Sequence, residues 1–346
     1  MPSPKLTLAE GVYQRSSDSV DQPLSLSGLN KADLGAAAAM IERILGSTPT
    51  LQAPKLSKRW DRSVYVKYEN ISPVRSFKAR GGLAAISDLV SNKDSSGVTT
   101  ASTGNHGQGL AFAGGEFEVP VEIVVPENAE QAKVDALKDL GATLKIHGKN
   151  LSEAQIYAAK LAARNGAVFI EDGDHLGLMK GAASVLSEMV RQAPDLETII
   201  VPVGGGNLIS GALIAASYAA PHLTIVGVQS SAAPGATNSW IAGETATAEC
   251  RTFAGGLATE YPGAASLKVM NALLETMILV SDADLWKGIA TVFDTTGAAV
   301  EGAAAAGVAA MDRFGSEIPG NTIGILLTGG WINRNDLLRS IDTSRA

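Results

Sequence analysis

The sequence predicts an α/β protein with parallel β-sheets, and three observations support this fold class. Short β-branched runs alternate with longer alanine-rich runs from about residue 64 onward. Several of the short runs are continuously apolar, as strands are when helices cover both faces of a sheet. The composition, 45% hydrophobic with 37 glycines in 346 residues, suits close packing of helices on sheets. Such alternation is typical of parallel strands joined by right-handed helical crossovers.

The individual elements follow from this alternation. The β-branched runs predict strands at residues 64–68, 121–125, 143–146, 168–170, 198–203, 224–228, 277–280 and 322–327. The alanine-rich stretches predict helices at residues 129–140, 152–165, 181–192 and 208–219. Residues 9–28 are polar and carry no such pattern, so we expect an irregular surface arm there.

Charge and cysteine content narrow the function classes. The formal net charge is −7 and no basic block occurs, which argues against a nucleic-acid or anionic-membrane partner. Cys250 is the single cysteine, so no intramolecular disulfide can form, and the four histidines lack the spacing of a zinc site. No apolar run reaches the roughly 18 residues that span a bilayer. The expectation is a cytoplasmic protein without a metal.

The first segment that could carry chemistry is Ser76-Phe77-Lys78-Ala79-Arg80. A lysine at the start of a helix faces the positive end of the helix dipole. Such a lysine is either exposed and unremarkable, or its amine is easily neutralised, as attack on a carbonyl requires. The segment alone fits both interpretations.

The second segment, residues 101–109, reads ASTGNHGQG between a short strand and a helix. Small hydroxyl residues at a helix N-terminus leave backbone N–H groups free to bind an anion such as a carboxylate. A capped helix with a glycine turn explains the same residues without a ligand.

The third segment places Gly204, Gly205, Gly206 and Asn207 between the most apolar strand and a helix. Consecutive glycines let a phosphate approach the main-chain N–H groups closely. The pattern is neither GxGxxG nor GxxxxGK[ST], which disfavours a dinucleotide or a nucleoside triphosphate. The three segments together call for a ligand with a phosphate, a carbonyl within reach of lysine, and a partner carboxylate. Pyridoxal 5'-phosphate (PLP) with an amino acid fits that description.

The three segments, in this order, resemble the serine/threonine dehydratase family of fold type II PLP enzymes. The resemblance runs from about Leu45 to Asn333. It implies a tryptophan synthase β-like fold of two parallel-sheet α/β domains with the active site between them. Residues 1–95 plus 179–346 would form the large PLP-binding domain, and residues 96–178 the small domain. The family also implies a small-molecule amino-acid substrate and a homodimer or homotetramer.

The resemblance assigns roles by position. The residues implied to hold the cofactor are Lys78, which binds it covalently, Phe77 beside the ring, Asn105 at the ring hydroxyl, Glu301 near the ring, Thr328 facing the ring nitrogen, and Gly204, Gly205, Gly206 and Asn207 around the phosphate. The residues implied to hold the substrate carboxylate are Ser102, Thr103, Gly104 and Asn105.

A neutral hydroxyl at Thr328 favours elimination over transamination. An aspartate at this position would protonate the ring nitrogen and prolong the life of a carbanion. The expected reaction removes water and ammonia from a β-hydroxy amino acid, with Lys78 as the base that takes the α-proton. Threonine and serine are the family substrates.

The chain departs from the family pattern at several positions. The family turn reads Pro-Thr-Gly-Ser-Phe-Lys, so this chain lacks its threonine and carries Arg75 in place of the small residue three positions before Lys78. Its guanidinium is either a surface group or a contact for a second acidic group, as in hydroxyaspartate. Gln229 and Gly235 stand where cation-dependent members carry carboxylates, so we expect no Mg²⁺ requirement. Because little sequence follows Asn333, we expect no C-terminal regulatory domain of the kind found in feedback-inhibited members.

Two alternatives remain on the same scaffold. A racemase needs an acid on the face of the cofactor ring opposite Lys78, and Thr103 stands where serine racemases place a serine. A non-catalytic PLP-binding homologue rests only on the departures from the family pattern.

Overall fold

The computed structural model describes residues 5–15, 28–93 and 96–345. The described residues contain twelve strands: β1 (Lys5–Ala9), β2 (Val12–Arg15), β3 (Thr50–Gln52), β4 (Ser63–Tyr68), β5 (Val98–Ala101), β6 (Val121–Val125), β7 (Thr143–Ile146), β8 (Val168–Phe169), β9 (Thr198–Pro202), β10 (Thr224–Ser230), β11 (Thr276–Val280) and β12 (Thr322–Leu327). Every strand that the sequence predicts is present, with boundaries shifted by no more than two residues.

The helices of the described residues lie between and after these strands. They are α1 (Lys31–Leu45), α2 (Pro54–Trp60), α3 (Lys78–Ser91), α4 (Asn105–Phe117), α5 (Gln131–Asp139), α6 (Leu151–Asn165), α7 (Leu176–Gln192), α8 (Asn207–Ala219), α9 (Gly235–Ala242), α10 (Ala264–Leu273), α11 (Asp282–Thr296), α12 (Ala306–Phe314) and α13 (Arg334–Arg345). The four predicted helices correspond to α5, α6, α7 and α8.

The strands form two sheets. The eight-stranded sheet has the order β1-β2-β11-β10-β9-β12-β4-β3, with parallel pairing from β11 to β4 and antiparallel pairing at both ends. The four-stranded sheet has the order β7-β6-β5-β8 and is parallel throughout. The α/β class with parallel sheets is therefore confirmed. The domain division stays a prediction, and its boundary at residue 178 falls inside α7.

The expectation of an irregular arm at residues 9–28 was wrong for residues 12–15, which form β2. This strand pairs antiparallel with β1 and β11. The guanidinium of Arg15 donates hydrogen bonds to the carbonyls of Asn271 and Ala272, at 2.8 and 3.0 Å. Because only Val12 of the four residues is buried, the apolar alternation that identifies a strand is missing. Residues 16–27 lie outside the described part of the chain.

Helices α3 and α4 touch backbone to backbone. A Cβ atom added at Gly82 would lie 2.2 Å from the carbonyl oxygen of Gly109, so neither helix tolerates a side chain at this crossing. The contact places the N-terminus of α3, which carries Lys78, beside the N-terminal part of α4. The first two sequence segments are thereby brought together.

A buried ionic network lies behind the start of α3 and consists of Lys67, Glu69, Arg80 and Glu188. The Arg80 guanidinium donates to both carboxylate oxygens of Glu69, at 2.8 and 2.9 Å, and to both oxygens of Glu188, at 3.1 and 3.2 Å. Lys67 also donates to Glu188, and every member is at most 4% exposed. Burial opposes ionisation of Glu188, but the hydrogen bonds from Arg80 hold its pKa below the usual value. Two cations therefore balance two anions in the core.

Candidate active site

The candidate site is built from the chain segments that follow the carboxyl ends of strands. Lys78 follows β4, residues 102–105 follow β5, residues 171–174 follow β8, residues 204–207 follow β9, and Thr328 follows β12. In parallel α/β sheets the helix N-termini and ligand sites gather at this edge. The segments that the sequence singled out thus converge because of the topology.

The loop that carries Lys78 is held against the end of β12. The N–H of Phe77 donates to the carbonyl of Thr328 at 3.1 Å, and Ser76 forms an antiparallel bridge with Gly329. Phe77 is half-buried, and the Lys78 ammonium lies 5.3 Å from the centroid of its ring. Lys78 is therefore anchored through its backbone while its amine projects from the first residue of α3.

Asp172 is the direct partner of that amine. Each of its carboxylate oxygens lies 2.6 Å from Lys78 Nζ. The Lys78 side chain is 19% exposed and the Asp172 side chain 40%, so the pair faces an opening. Asp172 also accepts a hydrogen bond from Asn207 Nδ2 at 3.3 Å. Desolvation raises the pKa of Asp172, but the charge of Lys78 outweighs it and lowers the pKa to about 2.

The turn before α4 is held in place by hydrogen bonds between a serine hydroxyl and backbone amides. The Ser102 Oγ atom accepts hydrogen bonds from the N–H groups of Gly104 and Gly107, both at 3.1 Å. Among the described residues, the N–H groups of Thr103 and Asn105 donate no hydrogen bond to a backbone carbonyl of a turn, loop or helix cap. These amides, at the positive end of α4, suit a carboxylate ligand.

Asn105 and Glu301 come together from positions 196 residues apart. Asn105 Nδ2 donates to Glu301 Oε1 at 2.8 Å. The N–H of Glu301 donates to the carbonyl of Gly329 at 3.1 Å, so this pair adjoins the anchor of the Lys78 loop. Burial raises the pKa of Glu301 to about 7. A carboxyl with this pKa exchanges a proton near neutral pH.

His106 lies directly behind Asp172. Its Nε2 atom is 3.1 Å from both the Thr100 hydroxyl and the Ile170 carbonyl, while Nδ1 is 3.9 Å from the Asp172 carboxylate. The side chain is 4% exposed, and burial lowers its pKa. The neutral imidazole therefore supports the site without adding a positive charge to it.

The glycine loop has the shape and the free donors of a phosphate cradle. A Cβ atom at Gly204 would lie 2.3 Å from the Gly256 carbonyl, and one at Gly206 would lie 2.5 Å from Ser266 Cβ. Gly206 adopts a φ of +104°, which glycine alone reaches easily. In the described part of the chain the amides of residues 204–206 have no hydrogen-bond acceptor, and the buried Asn207 Oδ1 atom has no donor. Unpaired donors at the N-terminus of α8 fit the phosphate of PLP, and Lys78 beside them fits its aldehyde.

Thr328 and Arg75 occupy different surroundings. Thr328 is 4% exposed at the end of β12. Arg75 is exposed, has a φ of +55°, and stacks its guanidinium 5.2 Å from the ring centroid of Trp331. No described hydrogen bond joins the Arg75 side chain to Lys78, Asp172 or Asn105.

Uncharged residues occupy the two positions at which cation-dependent members of the family are expected to carry carboxylates. Gln229 is fully buried, and its Oε1 atom accepts hydrogen bonds from the N–H and hydroxyl of Thr237, at 2.9 and 2.8 Å. A Cβ atom at Gly235 would lie 2.1 Å from the Glu260 carbonyl. Within residues 5–15, 28–93 and 96–345 no cluster of histidine, cysteine and carboxylate side chains could hold a metal ion.

Sequence reasoning missed Asp172 as a member of the site. A signal was available, since the acidic residues of EDGD follow directly on the predicted strand at 168–170. The position of Asp172 after a strand does not by itself predict a contact with Lys78, which lies 94 positions earlier in the sequence. That information comes from how the two sheets face each other.

Comparison with known proteins supports the same interpretation. The family model of pyridoxal-phosphate dependent enzymes matches residues 41–329. An L-threonine ammonia-lyase of Thermotoga maritima is 30% identical over 312 residues, which cover 90% of this chain and 77% of that protein. An L-threo-3-hydroxyaspartate ammonia-lyase of Saccharomyces cerevisiae is 30% identical over 299 residues, which cover 86% and 92% respectively.

The fold matches solved structures equally well. The processed form of threonine deaminase isoform 2 from Solanum lycopersicum superposes with a TM-score of 0.86 and 29% identity, covering 95% of this chain and 97% of that one. The chain spans 45–57% of the length of several longer threonine dehydratases that it matches. No described helix is long and apolar enough to cross a membrane. On these grounds the chain belongs to the pyridoxal-phosphate dependent enzymes, and pyridoxal 5'-phosphate is its cofactor.

Proposed function

We propose that this enzyme is a dehydratase that converts a β-hydroxy amino acid, such as L-threonine, L-serine or an acidic analogue, into a 2-oxo acid and ammonia. The observation that carries the proposal is the placement of the Lys78 amine next to Asn207, at the free N-terminus of α8. Asp172 bridges the two, at 2.6 Å from Lys78 Nζ and 3.3 Å from Asn207 Nδ2. The ammonia-lyase relatives support the same reaction class.

The residues proposed to hold the cofactor fall into three groups. Lys78 would bind it covalently, with Phe77 against the ring. Three residues would contact the ring substituents and the ring nitrogen, and they are Asn105, Glu301 and Thr328. The phosphate would bind the amides of Gly204, Gly205, Gly206 and Asn207.

The substrate carboxylate is proposed to bind at the turn before α4. Ser102 Oγ already accepts from Gly104 and Gly107, so its role is to hold the turn open. The amides of Thr103 and Asn105 then point toward the ligand. An amino acid held in this way presents its α-carbon to Lys78.

Bound PLP supplies a conjugated ring that delocalises negative charge from the substrate α-carbon. Lys78 Nζ takes the proton from that carbon as general base, which requires the neutral amine. The β-hydroxyl leaves as water, and the α-proton taken by Lys78 accounts for the second hydrogen of that water. The unsaturated amine that is released then reacts with one water molecule to give the 2-oxo acid and ammonia. Thr328 offers only a neutral hydroxyl to the ring, which favours prompt elimination.

Racemisation is a second candidate, favoured by the half-buried Thr103 hydroxyl in the turn that is proposed to bind the substrate carboxylate. If Thr103 delivers a proton to the α-carbon, D-isomer will form. The Thr103→Ala variant should then lose D-isomer formation and keep elimination. Equal loss of both reactions would remove the support for this candidate.

The deciding experiment incubates the purified holoenzyme with L-threonine, L-serine and L-threo-3-hydroxyaspartate. Release of 2-oxo acid and ammonia in equal amounts is the expected result, with little or no D-isomer. A product mixture dominated by D-isomer would establish the racemase, and no change in any substrate would contradict both candidates.

A homodimer or homotetramer in the cytoplasm is the proposed assembly and location.

A further inference from the structure

We propose that Asp172 selects substrates by charge, favouring neutral or cationic side chains and disfavouring anionic ones. This inference deepens the proposed function and rests on it, since it names the class of amino acid that the same site accepts. Such selection separates threonine and serine, which are accepted, from hydroxyaspartate, which is disfavoured.

The position of Asp172 is rigidly set by the residues next to it. The carbonyl of Gly173 accepts a hydrogen bond from Ser266 Oγ at 2.9 Å, and Asp174 Oδ1 accepts from the N–H of Ala265, also at 2.9 Å. A Cβ atom at Gly263 would lie 1.9 Å from the Gly173 carbonyl, so the two backbones are in direct contact. The backbone of the segment that follows β8 is therefore held against the start of α10, and this fixes the position from which the Asp172 side chain extends.

Asp172 also lies within reach of the substrate. A lysine that takes the α-proton must approach the α-carbon to about 3 Å. The Asp172 oxygens are 2.6 Å from the same Lys78 nitrogen, so an amino acid whose α-carbon is close to that nitrogen also lies close to the Asp172 carboxylate.

The carboxylate remains negative and only partly compensated when Lys78 engages in the reaction. Its other polar neighbours are Asn207 Nδ2 at 3.3 Å and His106 Nδ1 at 3.9 Å. Burial lowers the pKa of His106, so the imidazole is neutral near pH 7. A β-hydroxyl or a β-ammonium group can donate a hydrogen bond to Asp172, whereas a carboxylate is repelled by it.

Apart from Lys78, no lysine or arginine of the described residues pairs with Asp172, and Lys133, whose charge reaches Glu301, is itself paired with Glu130 at 2.9 Å. The Arg75 guanidinium is exposed on Trp331, and Glu171 and Asp174 add negative charge on either side of Asp172. The expected order of substrate preference is therefore cationic or neutral before anionic.

The test compares the native enzyme with Asp172→Asn, which removes the charge and keeps the shape. The matched control is Glu116→Gln, which removes one charge from an exposed carboxylate near the C-terminal end of α4. We measure kcat/KM for L-threonine, L-threo-3-hydroxyaspartate and L-2,3-diaminopropionate. The ratio of hydroxyaspartate to threonine should rise by at least about tenfold in Asp172→Asn, as removal of a close like charge requires, and stay within about twofold in the control.

A binding measurement separates this inference from the proposed function. Alanine, aspartate and 2,4-diaminobutyrate have no β-leaving group, and calorimetry gives the Kd of each with the holoenzyme. Aspartate should bind weakest to the native enzyme and should gain most from Asp172→Asn. If no β-hydroxy amino acid is turned over but this order holds, the proposed function fails and the charge selection stands.

Two outcomes would overturn the inference. One is an unchanged ratio of aspartate to alanine binding in Asp172→Asn. The other is loss of bound cofactor, measured by its absorbance, in both Asp172→Asn and Asp172→Ser. Such a loss would mean that Asp172 holds PLP instead of selecting the substrate.

Discussion

Two lysine–carboxylate contacts flank the start of helix α3, and they differ in what surrounds them. In the buried ionic network, Lys67 is 0% exposed and donates to Glu188 and to the carbonyl of Thr48. In the cleft, Lys78 is 19% exposed and meets Asp172 as its one carboxylate partner among the described residues. The same pair of charged groups thus occurs once fully enclosed and once facing an opening.

The difference in exposure indicates that the buried pair stabilises the fold, whereas the partly exposed lysine is free to react. A buried pair whose hydrogen bonds are all made cannot give up a partner without leaving an uncompensated charge in the core. A partly exposed amine can exchange one partner for another, which a lysine that reacts with a carbonyl must do. Arg80, two residues after Lys78, joins the two regions because its burial anchors the helix whose first residue is proposed to bind the cofactor.

Replacing Lys78 should produce the largest effect on activity. Lys78→Ala removes both the covalent attachment of PLP and the base that takes the α-proton, so kcat should fall by at least about a thousandfold. Steady-state assays of 2-oxo acid release measure this loss, and the visible absorbance of the bound cofactor should change with it. The control is Lys55→Ala, on an exposed lysine that donates a hydrogen bond to the Asp294 carbonyl at 2.9 Å. Full turnover by Lys78→Ala would contradict the site.

Replacing Arg80 should instead act on stability. Arg80→Met leaves Glu69 and Glu188 with one cation between them, and we expect a loss of about 3–5 kcal/mol in the free energy of unfolding. The control, Arg59→Met, breaks an exposed pair with Asp312 and should cost less than about 1 kcal/mol. Urea unfolding of both variants provides the comparison. Equal losses would mean that burial does not distinguish the two kinds of ion pair.

Replacing Arg75 should have a small and unselective effect. The side chain is exposed, and its φ of +55° is one that glycine adopts without strain. In Arg75→Gly, kcat/KM for threonine and for hydroxyaspartate should therefore change together, by about twofold or less. A selective loss of hydroxyaspartate turnover would show that the guanidinium reaches the substrate and would place a cation opposite Asp172.

Removing divalent cations should have the smallest effect. Gln229 and Gly235 offer no carboxylate, and Gln229 is already engaged with Thr237. Incubation with a chelator should leave the rate of 2-oxo acid release unchanged. A loss of activity that is restored by added Mg²⁺ would instead reveal a divalent-cation site outside both the buried ionic network and the candidate active site.

The sequence predicted most of the fold and the local parts of the site, because these depend on neighbouring residues. The apolar runs identified strands such as β9 and β12, and the consecutive glycines identified the loop that is proposed to hold the phosphate. Lys78 and Asn105 followed from short segments that keep the family pattern. Local patterning also explains the failure at β2, where only one residue is buried.

The contacts between distant segments could not be predicted in this way. Charged residues are seldom fully buried, so the burial of Arg80 and Lys67 contradicts the ordinary expectation for these residue types. Asp172 reaches Lys78 only because β8 of the small sheet ends opposite the loop after β4. Such pairings depend on how two sheets face each other, which no single stretch of sequence encodes.

The most direct test of the contrast between Lys78 and Lys67 is chemical labelling. Borohydride reduction of the holoenzyme fixes the cofactor to the lysine that carries it, and peptide mass spectrometry identifies that residue. The account predicts a phosphopyridoxyl label on Lys78 and none on the buried Lys67. A label on any other lysine, or a cofactor that is bound but attached to no lysine, would contradict it.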